Sequence, residues 1–144
     1  MPTSWSRSSC QEINASSEKV WAVLADVSTW KEWNAGVRAI EIEGPFSTGV
    51  WFSMVLPDNE VIRSQLTEVS APLHFVDATW IGETVVRVTH SIEPLPMDRC
   101  CVTFTANAEG PEAQDIGDGA SADFPEVLAS LAKYLEKRYI TKVG

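Results

Sequence analysis

The sequence predicts an α+β fold: an antiparallel sheet of about seven strands, curved around one long C-terminal helix, with two short helices after the first strand. Three observations lead there. Apolar residues recur at helical spacing in two places, residues 20–33 and 124–135. From residue 37 to residue 109 the period changes to two. The turn-rich breaks inside that stretch are only a few residues long, which permits hairpins and forbids parallel crossovers.

Residues 4–13 contain no glycine or proline and read as an extended strand, although their alternation is weak. At Asn14-Ala15-Ser16-Ser17-Glu18 the pattern breaks: Ser16 can cap a helix by accepting a backbone N–H bond, and Glu18 sits favourably in its positive first turn. Val20, Trp21, Leu24 and Val27 then place one helix face against a core. A second short helical turn, 28–33, sets Trp30 and Trp33 on one side. Six strands follow at 37–43, 50–56, 60–69, 74–81, 84–93 and 100–109. Gly44-Pro45, Pro57-Asp58-Asn59, Ala71-Pro72, Gly82, residues 94–98 and Gly110-Pro111 separate them and end the last. Residues 110–122 hold Glu112, Asp115, Gly117, Asp118 and Gly119 with almost no large apolar side chain, and read as a solvated linker. The segment lacks full calcium-loop spacing and the closing glutamate, so no metal is expected there. From Asp123 a long helix begins, with Pro125 suited to its first turn. Phe124, Leu128, Leu131 and Leu135 share one face of it.

The composition, 144 residues with 44% apolar and 22% charged, is that of one globular domain spanning 1–144. No apolar run approaches the roughly 18–20 residues of a membrane span. The N-terminal Met1-Pro2-Thr3-Ser4-Trp5 lacks a secretory pattern, so a cytoplasmic location is expected. A net charge of -9 argues against nucleic acid or an anionic membrane as partner, because both repel an acidic surface. Cys10, Cys100 and Cys101 are odd in number and have no C-x-x-C spacing, which favours reduced thiols over a disulfide framework or zinc site. No cofactor is expected, and oligomeric state is not legible.

Several segments occur together in order: residues 13–21 (Ile13-Asn14-Ala15-Ser16-Ser17-Glu18-Lys19-Val20-Trp21), Asp26-Val27, Trp30-Lys31-Glu32-Trp33-Asn34-Ala35-Gly36-Val37, Gly44-Pro45-Phe46 with Gly49, Leu66-Thr67-Glu68-Val69, Val88-Thr89-His90-Ser91-Ile92-Glu93-Pro94-Leu95, and Asp123-Phe124-Pro125-Glu126-Val127-Leu128 through Leu135-Glu136. In this the chain resembles the START-like (SRPBCC) superfamily, in its polyketide cyclase and dehydrase branch, over nearly its whole length. Ser17 departs from the proline often found after the cap, and either residue fits a first helical turn. The resemblance implies a helix-grip fold with a cavity between sheet and C-terminal helix. It implies less about activity, since such proteins include aromatases and cyclases, lipid and hormone carriers, and proteins with no known reaction. It transfers no catalytic motif residue by residue, so strand parity must supply the site.

On strand 84–93, Val86, Val88, His90 and Ile92 share the more apolar face, which places His90 in or near the cavity as a proton donor and acceptor or as a satisfied buried histidine. Asp77 shares a face with Phe75 and Thr79, opposite His74, Val76, Ala78 and Trp80, and parity does not choose between the two faces. An exposed strand aspartate is the ordinary expectation; a buried one would have a raised pKa and the makings of a general base. Glu68 shares parity with Ile62, Ser64 and Leu66 and meets the same alternative. Phe52, Met54, Leu66, Phe75, Thr79, Val88, Phe104, Leu128, Leu131 and Leu135 are the expected ligand-binding lining, each also readable as plain core. Trp30 and Trp33 either close the cavity mouth or anchor the short helices. Arg63 and Arg87 fall on the opposite faces and should point outward. The leading expectation is a module binding a hydrophobic small molecule, polyketide-, lipid- or aromatic-like. Its rival is an aromatase/cyclase or dehydratase acting on a poly-β-ketone, with His90 as base and Thr79 as hydrogen-bond donor. Regulation of another protein through the acidic exterior has no motif behind it.

Overall fold

The computed structural model describes residues 4–140. Strand β1 (Ser4–Ile13) leads into α1 (Ser17–Leu24), a 3-10 turn (Val27–Thr29) and α2 (Trp30–Trp33). Six strands follow: β2 (Ala39–Ile42), β3 (Trp51–Val55), β4 (Val61–Ser70), β5 (His74–Ile81), β6 (Thr84–Leu95) and β7 (Arg99–Glu109). Helices α3 (Ala113–Ser121) and α4 (Phe124–Ile140) come last. All strands join in one antiparallel sheet of seven, ordered β1-β7-β6-β5-β4-β3-β2. Only the β1-to-β2 connection is long. It carries α1 and α2 from one sheet edge to the other across the concave face, which α4 also covers, giving the helix-grip fold.

Local chemistry accounts for the entry into this arrangement. The Ser16 hydroxyl accepts from the Lys19 N–H at 3.4 Å, capping α1, and the Asp26 carboxylate accepts from the Ser28 N–H at 3.1 Å at the start of the 3-10 turn. The Trp30 indole donates to the Leu24 carbonyl at 3.0 Å and the Trp33 indole to the Thr29 hydroxyl at 3.1 Å. Both tryptophans are buried, so their rings anchor the short helices to the core. Leu128, Leu131 and Leu135 of α4 are fully buried with Ile13, Val20, Leu24, Leu66 and Val102. Burying each such leucine removes enough apolar surface to contribute about 1.5–3 kcal/mol.

Three expectations need correction. First, residues 110–122 are not a linker, because 113–121 is the helix α3. Its buried face is Ala113, Gly117 and Ser121, small residues four apart, and the Trp5 ring packs against this face so closely at Gly117 that a Cβ added there would collide with it. Arg7 secures the same helix, pairing with Asp118 at 2.6 Å. Second, β6 continues through Pro94 to Leu95, paired with β7. The Ile92 N–H points to the Leu73 carbonyl, on the side where β5 ends, so the missing N–H of Pro94 two residues on interrupts no ladder. Third, a bulge between Leu66 and Glu68 shifts the register of β4. Thr67 and Glu68 both face outward in consequence, so Glu68 does not share the face of Leu66 as its parity suggested; it meets His74 at 2.7 Å on the exterior, the ordinary expectation for a strand acid.

Candidate functional site

Helix and sheet do not touch everywhere. The large leucines of α4 fill the space beneath its middle, but its first turns present Phe124 and Val127, and the facing strands present Thr79, Val86 and Val88. A cavity of about 360 Å3 remains there, bounded also by the turn after α2 and the end of α3.

Of the residues expected to line it, Trp30, Met54, Thr79, Val88 and Phe104 do so, together with Asp77 and His90. Phe52, Leu66, Phe75, Leu128, Leu131 and Leu135 do not reach it. They are at most 1% exposed and interlock beside it as filled core. Trp33 is buried off the cavity. Sequence reasoning missed Val127, Phe124, Asp123, Ile62, Ile81 and Val37, all of which line the space. For two of them a signal existed: Val127 lies three residues after Phe124 on the buried stripe, and Ile81 shares the parity of Asp77 and Thr79.

That parity is settled by burial. Phe75, Asp77 and Thr79 face inward, and Asp77 is buried at 8% exposure, against the expectation of an exposed aspartate. The register pairs Asp77 with Val88 and His90 with Phe75, so the two ionisable side chains are diagonal neighbours on the concave face. His90 Nε2 lies 3.8 Å from Asp77 Oδ2, beyond hydrogen-bond range. The imidazole stacks flat on Phe75, with centroids 4.0 Å apart, and meets the Phe104 ring edgewise at 4.6 Å. Its Nδ1 is buried with no partner.

This aromatic enclosure explains the electrostatics. Burial lowers the His90 pKa to about 3 against the weaker pull of the Phe75 and Val88 backbone, so the ring is neutral across the physiological range. Burial alone raises Asp77 to about 7, with no charge or hydrogen bond to offset it. At the mouth, Asp123 is also raised, chiefly by partial burial, with its own backbone opposing and Glu126 adding. The Thr79 and Ser64 hydroxyls bond each other at 2.6 Å. Arg63 and Arg87 point outward, as their parity required, to Glu43 at 2.5 Å and Glu109 at 3.0 Å. Among the described residues no cluster suits a metal ion, and no helix is long and apolar enough to cross a membrane.

The fold and the cavity between its sheet and helices define a helix-grip protein of the START-like class. The chain belongs to the polyketide cyclase / dehydrase and lipid transport family, whose model matches residues 5–136. Similar solved structures include the ZhuI aromatase/cyclase from Streptomyces sp. R1128, at TM-score 0.79 and 13% identity over 94% of this chain and 95% of that one. Norcoclaurine synthase from Thalictrum flavum, in complex with dopamine and hydroxybenzaldehyde, has TM-score 0.74 and 14% identity over 93% and 87%. A START superfamily protein from Mycobacterium smegmatis has TM-score 0.73 and 14% identity over 92% and 97%. At these identities the likeness is one of fold. No curated protein sequence matches the chain.

Proposed function

We propose that the protein binds a compact, largely apolar small molecule in this cavity, with the body of the ligand against Phe104, Phe124 and Val127 and its polar end at Asp77 and His90. The observation that carries this reading is the buried, unbonded pair itself. The Asp77 carboxyl and His90 Nε2 stand 3.8 Å apart in the cavity wall without a hydrogen bond between them, and burying two such groups costs stability. Such groups belong where a ligand supplies the missing partners. The volume lies at the lower end of the roughly 300–1,000 Å3 spanned by small-molecule sites, which suits one or two rings better than a long acyl chain.

Catalysis is the second reading, and the near-neutral pKa of Asp77 favours it. A carboxyl poised there can remove an α-proton as carboxylate and return it to a departing hydroxyl as acid, while the Thr79 hydroxyl holds a carbonyl oxygen. Cyclisation or dehydration of a short poly-β-ketone requires those steps. In this scheme Asp77 carries the proton, and His90, neutral and wedged between rings, positions the substrate.

Native mass spectrometry of gently purified protein tests binding: a co-purifying small molecule, lost on substituting Val127 by Trp to fill the cavity, is the expected result. Failure of every member of a broad apolar panel to bind would sink the reading. For catalysis, Asp77→Asn should lower turnover about 10²- to 10⁴-fold with the fold retained.

A further inference from the structure

The charges around the cavity are of one sign. Asp77 lies in its wall and Asp123 at its mouth, whereas among the described residues no lysine or arginine lines it. The arginines near the sheet are engaged elsewhere: Arg7 with Asp118, Arg63 with Glu43, Arg87 with Glu109 and Arg99 with Glu12, while Arg38, beside the lining residue Val37, is exposed and donates to Asn59. Three aromatic rings, Trp30, Phe104 and Phe124, make up much of the remaining wall. We propose that the cavity selects an amine: a one- or two-ring molecule whose protonated nitrogen is received between Asp77 and His90, with Asp123 attracting it at the mouth.

This rests on the small-molecule reading above and narrows it to a ligand class. Asp77 Oδ2 and His90 Nε2 are 3.8 Å apart, a span that one ammonium nitrogen can bridge by donating to both over bonds of about 2.8 Å. Carboxylates and aromatic faces together form the usual environment for an organic cation, because each presents negative potential. A carboxylate-bearing ligand would meet two acids and no counter-charge in a chain of net charge -9. A neutral carbonyl ligand could accept from Asp77 only while that group is protonated, and its binding would then weaken as pH rises. An ammonium requires the carboxylate, so its binding must strengthen as pH rises.

The groups facing Asp77 leave this dependence clean. His90 of β6 stays neutral, its pKa being about 3. Asp123, ahead of α4, is the only other ionisable lining residue among the described residues, and Ile62 of β4, Phe104 of β7, Trp30 of α2 and Asn34 after it are uncharged.

Isothermal titration calorimetry with three probes of matched size tests the proposal: 2-(2-naphthyl)ethylamine, 2-(2-naphthyl)ethanol and 2-naphthylacetate. At pH 8 the amine should bind about tenfold or more tighter than the alcohol, with the acetate weakest. Between pH 6 and pH 8 the affinity of the amine should rise about tenfold as Asp77 ionises, while that of the alcohol stays level. Asp77→Asn should abolish both the amine's advantage over the alcohol and its pH dependence, and a thermal melt of the variant reports whether the fold is intact. Asp123→Asn should weaken the amine severalfold. Alcohol or acetate binding as tightly as the amine, or amine affinity falling with pH, overturns the amine proposal and leaves the cavity reading standing. If none of the three binds, the cavity reading fails and the amine proposal fails with it.

Discussion

Asp77 and His90 stand one inward position apart on neighbouring strands, Asp77 paired with Val88 and His90 with Phe75, and their side chains approach to 3.8 Å without bonding. Burial acts on both and pushes them in opposite directions, so His90 is neutral at neutral pH while Asp77 is poised between acid and carboxylate. The outcome is a site with a transferable proton whose charge turns on Asp77 alone.

This opposition predicts how stability responds to pH. The lowered His90 pKa, from 6.5 to about 3, means the unfolded chain binds the extra proton in that window, and stability falls as pH falls. The raised Asp77 pKa, from 3.8 to about 7, means the folded chain holds the extra proton, and stability falls as pH rises. Between about pH 4 and 6.5 the two cancel. Asp77→Asn should expose the histidine effect, with stability rising by about 1 kcal/mol per pH unit from pH 4 to 6, and His90→Gln should expose the reverse slope up to pH 7. Urea midpoints measured across that range check both signs, and parallel curves for wild type and variants would refute the burial of the pair.

Ligand entry should be reported by one tryptophan and not its neighbour. Trp30 lines the cavity, whereas Trp33 is buried away from it with its N–H on Thr29. A saturating change in emission on adding naphthylethanol should vanish in Trp30→Phe and persist in Trp33→Phe.

The grip on α4 rests on fully buried leucines. Leu131 has no exposed surface, and truncating it to alanine should cost about 2–5 kcal/mol through lost burial and the void left behind. A urea midpoint unchanged from wild type would contradict the packing of this helix.

Two glycines of α3 should behave in opposite ways. A methyl group at Gly117 would collide with the Trp5 ring, and Gly117→Ala should destabilise by about 1–3 kcal/mol. Gly119 has open space where its Cβ would go, and Gly119→Ala should stabilise by up to about 1 kcal/mol through helix propensity. Paired thermal melts of the two variants decide the matter.

The sequence by itself determined the parts governed by periodicity and local capping. Ser16 as cap, the period-two strands, the inward face of Val86, Val88, His90 and Ile92, the outward arginines and the leucine stripe of α4 all follow from neighbours within a few residues. What it could not decide was anything set by the meeting of distant elements. Helix α3 was hidden because its buried face is Ala113, Gly117 and Ser121, whose smallness makes sense only with β1 lying against it, Trp5 at Gly117 and Arg7 at Ser121. The side of the sheet that takes Asp77 depends on the register with β6, since its own strand has apolar residues on both faces. The bulge after Leu66 turned Glu68 outward without any mark of glycine or proline. The division of apolar residues into filled core and cavity wall was likewise decided only in three dimensions. Phe52 and Phe104 are equally apolar, and which of them borders empty space depends on where the α4 leucines stop filling the concave face of the sheet.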